Sequence, residues 1–207
     1  MIEPFHSRYL LPTKDFRCLS VLLTIHEVPA ISQTRIGKAT HLSSSMVNNY
    51  IKKFKSDGLI KVIGDTNRTT SYHLTEAGFD MLSSKLLDYS AEIVQLYTSV
   101  KKEIIRILNG FYNEGIRQVV FYGAAETAEI VYAALQETEI SLMGVIDGDP
   151  QKKGQIFNGY TIQSFEGLKD LKFDAVIIAS FGKQEEIYRS IKAVSDGRIV
   201  IKRLSDL

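Results

Sequence analysis

The sequence predicts two domains: a mainly helical domain with a β-hairpin, followed by an α/β domain with a parallel sheet. Residues 1–74 combine helical periodicity with one pair of short apolar strands, whereas apolar strands alternate with helices after residue 111. The length of 207 residues also exceeds the usual single domain of about 100–150 residues. We therefore predict three segments: residues 1–74, a long helix over 75–110, and the α/β domain over 111–207.

The most informative helix of the first domain begins after Ser43, a residue type that caps helices. Four apolar residues recur at i, i+3, i+4 and i+7 and line one face: Val47, Tyr50, Ile51 and Phe54. The opposite face carries Ser45, Asn48, Asn49 and Lys52. Serine and asparagine can hydrogen-bond to base edges and lysine to phosphates, so this face suits the major groove of DNA. An ordinary amphipathic surface helix is the alternative.

The residues after this helix predict a two-stranded wing. Gly58 ends the helix, and the branched apolar run Leu59–Ile63 reads as a strand. Turn-forming residues follow at Gly64–Asn67, and Thr69–Leu74 returns as a second strand. Arg68 then lies near the hairpin tip, with Lys55 in the same region. The predicted architecture is a winged helix-turn-helix.

Positive charge is concentrated on this segment. Residues 30–70 contain seven basic and two acidic residues, a net charge of +5, while the whole chain carries +1. A local excess of lysine and arginine is what the neutralisation of DNA phosphates requires. Double-stranded DNA is therefore the first predicted partner.

The order of elements over residues 14–110 resembles the winged-helix domain of MarR-type bacterial regulators. The match includes helices at Asp15–Glu27 and Gln33–Ala39, the helix and wing described above, and the LTEAG sequence of Leu74–Gly78. The resemblance implies a dimer on a palindromic operator, read by the second helix of the motif and by the wing. The candidate DNA-binding residues are Ser44, Ser45, Asn48, Asn49, Lys52, Lys55 and Arg68.

A long amphipathic helix follows the wing. From Thr75 to Leu108 there is no proline, and Gly78 is the single glycine. Apolar residues recur at spacings of three, four or seven: Leu82, Leu86, Ile93, Leu96, Val100, Ile104 and Ile107. This stripe packs either onto the chain's own domains or onto a second copy that pairs two recognition helices about 34 Å apart.

Several classes of protein are disfavoured by composition. The single cysteine, Cys18, lies in an apolar helical pattern, which suits a small core residue in a reducing compartment. The four histidines are scattered without partner cysteines at ligand spacing, so no metal site is expected. No apolar run approaches the roughly 20 residues that cross a bilayer. We expect a cytoplasmic protein without a membrane partner.

The boundary before the second domain lies at Asn109–Gly115, where the sequence NGFYNEG is predicted to interrupt the helix. Apolar strands separated by helices predict a mostly parallel sheet covered on both faces, a Rossmann-like α/β layout. The predicted strands are Arg117–Tyr122, Ser141–Ile146, Ala175–Ala179 and Arg198–Ile201, and the predicted helices are Ala125–Leu135, Phe165–Leu171 and Lys183–Val194.

The turn after the first of these strands carries a modified dinucleotide fingerprint. Gly123, Ala125 and Ala128 take the positions of GxGxxG, and Asp147 follows 24 residues after Gly123. Alanine at the second position adds a methyl group where a phosphate comes closest, and Glu126 in the first turn repels phosphate. The domain either binds a nucleotide or is a degenerate scaffold. The candidate ligand-binding residues are Gly123, Ala124, Ala125, Glu126 and Asp147.

Residues 116–181 resemble the nucleotide-binding domain of enzymes of bacterial polysaccharide and nucleotide-sugar biosynthesis, through YGAAETAE and GVIDGDPQKKGQIFNGYTI. The succession of a winged helix and a Rossmann-like domain is also similar to the redox-sensing repressor Rex, although Ala125 departs from that family's second glycine. These resemblances imply a nucleotide, a nucleotide sugar or NAD(H) as the ligand.

Catalysis is the rival hypothesis. Tyr188 and Lys192 show the YxxxK spacing of short-chain dehydrogenases, but Tyr97 and Lys101 repeat it within the long helix. No set of catalytic residues is selected, and we predict that the protein is not an enzyme. The leading hypothesis is a homodimeric transcription regulator whose second domain senses a nucleotide. A second domain that only dimerises or recruits a partner, and an enzyme of nucleotide-sugar metabolism, are the alternatives.

Overall fold

The computed structural model describes residues 11–64, 70–182, 184–195 and 198–205. The chain divides into two compact units, Met1–Val94 and Gln95–Leu207. Within the described residues, no helix is both long and apolar enough to cross a membrane.

The first unit contains a three-helix core, a hairpin and the start of a long helix. Its elements are α1 (Lys14–Glu27), α2 (Gln33–Thr40), α3 (Ser44–Ser56), β1 (Ile60–Ile63), β2 (Ser71–Leu74) and the first part of α4 (Glu76–Asn113). The winged helix-turn-helix predicted from the sequence is confirmed.

Hydroxyl groups begin the first three helices. Thr13 accepts a hydrogen bond from the Phe16 N–H at 3.1 Å, and Ser32 and Ser43 cap α2 and α3 in the same way. Between α2 and α3 the chain reverses at His41, whose φ of 54° lies in the left-handed region. The three helices then enclose a core that includes the fully buried Leu22, Ile36 and Phe54.

Antiparallel pairing of β1 and β2 runs from Ile60 opposite Leu74 to Ile63 opposite Ser71. β1 begins one residue later than the sequence predicts, and Thr70 of the predicted second strand lies before β2. Thr69 and Arg68 lie outside the described residues.

The second unit contains a six-stranded mixed sheet with helices on both faces. Its elements are β3 (Gln118–Tyr122), α5 (Glu126–Leu135), β4 (Ser141–Ile146), β5 (Ile156–Phe157), β6 (Tyr160–Gln163), β7 (Ala175–Ile178), α6 (Gln184–Val194) and β8 (Ile201–Arg203), with 3-10 turns at Pro150–Lys152 and Phe165–Asp170.

The strand order is β5-β6-β4-β3-β7-β8, and all neighbours are parallel except β5 and β6. Numbered along the chain, the five parallel strands therefore stand in the order 3-2-1-4-5. The direction of winding reverses between β3 and β7. The carboxyl ends of those two strands consequently border a crevice, where open α/β sheets bind ligands.

Alternate side chains of β3 point to opposite faces of the sheet. Phe121 is buried with Val131 of α5 and Leu108 of α4, whereas Val120 is buried with Ile191 of α6. The sheet is thus the central layer, and its strands read as continuous apolar runs because both faces are covered.

Two sequence predictions differ from the structure, and one hairpin was not predicted. Helix α4 continues through the predicted break at Asn109 to Asn113, because Ile107, Leu108 and Phe111 keep packing on the sheet. The last strand is Ile201–Arg203 and not Arg198–Ile201, since its pairing with β7 begins at Ile201. The hairpin of β5 and β6 was not predicted, although Asn158 and Gly159, both with positive φ, form a typical hairpin turn.

Candidate functional site

One face of α3 carries all six described candidates for DNA contact. At about 100° per residue these six positions fall within an arc of about 140°. Asn48 is half-buried, and the other five are exposed: Ser44, Ser45, Asn49, Lys52 and Lys55. The other side of the helix is anchored, because Val47, Ile51 and Phe54 have exposed fractions of 0%, 5% and 1%. The helix therefore presents amide, hydroxyl and ammonium groups from a rigid support.

Neighbouring lysines of α3 have different surroundings. Lys53 lies outside the candidate arc, and its ammonium group is 2.7 Å from a carboxylate oxygen of Asp57. This contact raises the pKa of Lys53 and lowers that of Asp57. Lys52 and Lys55 lie within the candidate arc and are exposed to solvent.

The end of α3 is tied to the start of α4 by the LTEAG sequence. The Thr75 hydroxyl donates to the Gly58 carbonyl at 2.7 Å and accepts from the Gly78 N–H at 3.1 Å. Gly78 packs directly against the backbone at Leu59. Threonine and glycine at these positions therefore connect the end of α3, the wing and α4 in one hydrogen-bonded corner.

The wing places further polar groups beside α3. Lys61 of β1 is exposed and stands opposite His73 of β2. The Ser71 hydroxyl lies 3.0 Å from the His73 Nε2 atom. Arg68, the predicted wing contact, falls outside the described residues, so its role stays a prediction.

In the second unit, the candidate ligand residues surround the turn after β3. Gly123 has a φ of 104°, and its N–H donates to the Ile146 carbonyl at 2.8 Å. Ala125 caps α5 with an extended backbone and no side-chain hydrogen bond. Glu126 is exposed in the first turn of α5. The predicted strand, glycine turn and helix are present in that order.

Asp147 is bound closely to this turn. One carboxylate oxygen accepts from the Ala124 N–H at 2.9 Å and from the Lys152 ammonium group at 3.0 Å. The other oxygen accepts from the Asp149 N–H at 2.9 Å. The Asp147 side chain is 12% exposed. Both oxygens are therefore engaged within the chain, and a ribose hydroxyl would have to share or replace these donors.

These contacts shift the pKa values of two side chains beside the crevice, Asp147 and Tyr122. Burial favours a higher pKa for Asp147, but the N–H groups of Asp149 and Ala124 and the Lys152 ammonium group together hold its pKa below the ordinary value. Burial and the Asp147 charge raise the pKa of Tyr122. A β-carbon at Gly148 would lie 2.7 Å from the Tyr122 hydroxyl oxygen, so the ring reaches over that loop.

The opposite wall of the crevice is the loop after β7. A β-carbon at Gly123 would lie 3.7 Å from the nitrogen of Ser180. The Thr127 hydroxyl donates to the Ala179 carbonyl at 3.0 Å. Sequence reasoning did not select Thr127, Ser180, Tyr122 or Lys152. The lysine had a local signal, since it follows the acidic loop of Asp147, whereas the other wall is distant in sequence.

The contacts of Tyr188, Lys192 and Cys18 are typical of side chains that stabilise a fold. The Lys192 ammonium group lies 5.8 Å from the centroid of the Tyr188 ring, over its face. Burial raises the pKa of the half-buried Cys18 thiol, which makes a reactive thiolate less accessible. In the described part of the chain, no three histidine, cysteine or acidic side chains are grouped as metal ligands.

Two family matches divide the chain in the same way as the fold. Residues 19–61 match the family described as winged helix-turn-helix DNA-binding. This segment covers most of the helical core, all of α3 and the start of the wing. Residues 115–200 match the family described as C2185-like, N-terminal. No curated protein matches the chain.

Solved structures with partial likeness come from two kinds of protein. BpsR of Bordetella bronchiseptica, whose DNA binding is regulated by 6-hydroxynicotinic acid, is 23% identical with a TM-score of 0.34, and the match covers 38% of this chain and 61% of BpsR. MepR, a transcription regulator of the Staphylococcus aureus efflux pump MepA, is 17% identical with a TM-score of 0.37, over 47% of this chain and 74% of MepR.

UDP-D-quinovosamine 4-dehydrogenase of Vibrio fischeri is 18% identical with a TM-score of 0.36, over 42% of this chain and 76% of the enzyme. Of the three matches, the one to BpsR covers 61% of that protein, which is less than two thirds of its length. At these scores the likenesses do not assign a family or an activity to this chain.

Proposed function

We propose that this protein is a sequence-specific, homodimeric transcription regulator that binds double-stranded DNA with α3 in the major groove. The observation that carries the proposal is the α3 face, where two asparagines, two serines and two lysines project from a helix whose other face is buried. An asparagine side chain can form two hydrogen bonds with the edge of one adenine, and lysine binds phosphate. The MarR-like order of elements supports the same function.

The second unit supports a regulatory role for this DNA binding. We infer that it is a Rossmann-like domain whose ligand, a nucleotide or nucleotide sugar, occupies the crevice between the Gly123 turn and the loop after β7. The strand order reverses at that crevice, and the glycine turn leads into a helix N-terminus there. Of the predicted ligand residues, Asp147 stands at the crevice through its bond to Ala124.

The competing proposal is that the second unit binds no small ligand. The hydrogen bonds of the Asp147 carboxylate favour this alternative. Asp147 already has three donors at 2.9–3.0 Å, and the Ala124 N–H that a phosphate would use is one of them. Such an arrangement is stable without a ligand. The unit would then serve dimerisation or recruit a partner.

DNA recognition can be tested by selecting duplexes from a random pool with the full chain. We expect an enriched sequence with two symmetry-related halves, bound roughly 1,000-fold more tightly than a scrambled duplex. The double variant Asn48→Ala and Asn49→Ala is expected to lose this preference. Replacing Asn109, an exposed asparagine of α4, by alanine is the matched control. A pool without enrichment, or a double variant that keeps the preference, would contradict the proposal.

Ligand binding can be tested by thermal unfolding with UDP, a UDP-sugar and NADH. A ligand of the folded unit at about 100 times its Kd stabilises by about 2.7 kcal/mol and raises the Tm. The variant Gly123→Val, which places a branched side chain at a positive φ in the crevice wall, is expected to abolish the shift. If none of the three compounds shifts the wild-type Tm, the non-binding alternative is favoured.

A further inference from the structure

The carboxylate of Asp147 accepts hydrogen bonds from the kind of donors that an α/β domain offers to a phosphate. Its three donors are the Ala124 N–H of the glycine turn, the Asp149 N–H and the Lys152 ammonium group, at 2.9, 2.9 and 3.0 Å. Backbone N–H groups at a turn before a helix, joined by a lysine, suit an anionic group. An anion of the chain itself therefore stands where the dinucleotide fingerprint predicts one from the ligand.

Local bonds hold this carboxylate in the loop after β4. The Asp149 N–H that it accepts is only two positions along the chain, and the Asp147 N–H donates to the Gln163 carbonyl of β6 at 3.1 Å. Although burial favours a higher pKa for Asp147, its donors hold the pKa below the ordinary value, so the side chain is ionised at neutral pH. A phosphate that approached Ala124 or Lys152 would have to displace a charged group that already has its hydrogen bonds.

The surroundings of the turn disfavour a second anion beside this carboxylate. Glu126 is exposed in the first turn of α5, and Asp149 is exposed in the loop after β4. Together with Asp147 they place three negative charges around the turn, and like charges repel an approaching phosphate. The methyl group of Ala125 adds bulk at the second position of the fingerprint, where a glycine lets pyrophosphate come close. Charge and shape therefore both oppose a phosphate at this turn.

Two hydroxyl groups beside the turn suit a ligand that carries hydroxyl groups of its own. Ser180 borders Gly123 on the opposite wall, and the Tyr122 hydroxyl oxygen would lie 2.7 Å from a β-carbon at Gly148. Within the described ranges, neither hydroxyl has a hydrogen-bond partner in the chain. Burial and the Asp147 charge raise the pKa of Tyr122, so its hydroxyl keeps its proton at neutral pH. Each of the two hydroxyls can both donate and accept.

We propose that Asp147 takes the place of a ligand phosphate at the Gly123 turn, and that the crevice binds its ligand there through an uncharged, hydroxyl-bearing end. The inference rests on the ligand of the proposed function and names the part of that ligand which the crevice holds. A ribose or a hexose offers such hydroxyl groups to Ser180, to Tyr122 and to the remaining lone pairs of the carboxylate. The phosphates of a nucleotide sugar then lie away from the turn. NAD(H) bound through its pyrophosphate does not fit this crevice.

Inorganic phosphate tests whether Asp147 substitutes for a phosphate. Asp147→Ala frees the three donors, so phosphate should bind this variant and raise its Tm by roughly 4 °C or more over chloride of equal ionic strength. The wild type should show no such shift, and neither should the double variant Asp147→Ala with Lys152→Ala. Asp174→Ala is the matched control, because its carboxylate also accepts two backbone N–H groups, from Arg117 and Gln118 at 2.7 and 2.9 Å, but is exposed to water.

An Asp147→Ala variant that is unfolded in chloride should regain its circular dichroism in phosphate. A variant that phosphate neither stabilises nor refolds would overturn the inference. So would a wild type or an Asp174→Ala variant that phosphate stabilises as much as Asp147→Ala.

Isothermal titration with uridine, methyl β-glucoside and UDP identifies the bound end of the ligand. Binding of uridine assigns a ribose to the turn, and binding of the glucoside assigns a hexose. We expect Lys152→Ala to change the affinity for UDP and the affinity for the bound phosphate-free compound by the same factor, because Lys152 pairs with Asp147 and not with a phosphate. Lys153→Ala removes an exposed lysine of the same loop and is the control.

A phosphate beside Lys152 would appear as a loss of UDP affinity in Lys152→Ala that exceeds the loss for the phosphate-free compound by roughly tenfold, with no such excess in Lys153→Ala. That result, or binding of UDP without either phosphate-free compound, would overturn the inference and leave the ligand of the proposed function in place. A chain that binds none of the three compounds would contradict that ligand, and the phosphate test then decides the inference by itself.

Discussion

Gly78 of α4 lies so close to the backbone of Leu59 that a β-carbon at position 78 would stand 2.1 Å from the Leu59 carbonyl oxygen. No side chain fits at that distance without movement of the backbone. The contact joins the first turn of α4 to the residue before β1. The glycine in the LTEAG sequence is thus required by packing.

Gly78→Ala is expected to destabilise the first unit by about 1–3 kcal/mol, because the backbone of α4 or of Leu59 must shift. Gly110→Ala is the matched control in the same helix. A β-carbon at position 110 meets no atom within 4 Å, and alanine favours helix over glycine by about 1 kcal/mol. Calorimetry should show a lower Tm for the first variant and an unchanged or higher Tm for the second. Equal shifts would refute the steric explanation.

Thr75→Ala should destabilise the same corner by about 1–2 kcal/mol, because it removes the cap of the Gly78 N–H and leaves the Gly58 carbonyl without its hydroxyl donor. Both hydrogen bonds use the Thr75 hydroxyl, at 2.7 Å and 3.1 Å. Thr75→Ser retains the hydroxyl and is the control. Urea unfolding measures the difference, and a serine variant as unstable as the alanine variant would show that the hydroxyl is not responsible.

Lys52→Ala should weaken duplex binding roughly tenfold and lower the slope of affinity against salt concentration by about 1, since one phosphate contact is lost. Lys53→Ala removes the same charge from a side chain that pairs with Asp57 outside the candidate arc. Fluorescence anisotropy at several salt concentrations should show a smaller change of slope for Lys53→Ala. Identical slopes for the two variants would argue against the proposed orientation of α3.

Asp147→Asn should change how stability depends on pH. The folded-state pKa of Asp147 is depressed, so the ionised carboxylate stabilises the fold above its unfolded-state pKa of about 3.9, and this contribution is lost as the pH falls through the folded-state pKa. The wild type should therefore be more stable than the variant at pH 7, and the difference should shrink as the pH falls below about 3.9. Urea unfolding at pH 7 and at a pH below about 3.9 measures this difference in the free energy of unfolding. A difference that does not change with pH would mean that the carboxylate charge contributes nothing.

The amino-acid sequence by itself determined the features that depend on neighbours along the chain. The i, i+3, i+4, i+7 pattern of Val47 to Phe54 defined the buried side of α3 and thereby its polar face. Ser43, Gly58 and the apolar run after it marked the start and end of that helix and the first wing strand. The alternation of apolar strands and helices indicated a mostly parallel sheet, because burial on both faces requires such runs.

Only the tertiary structure decided the features that join distant residues. Asp147 lies 24 residues from Gly123, and the sequence could not show that its carboxylate accepts hydrogen bonds from Ala124, Asp149 and Lys152. Nor could it show that Ser180 forms the other wall of the crevice. Strand order places those groups together, and strand order is a property of pairing between segments far apart in the chain. For the same reason a helical pattern could list the apolar residues of α4 but could not tell which of them are buried and which are exposed.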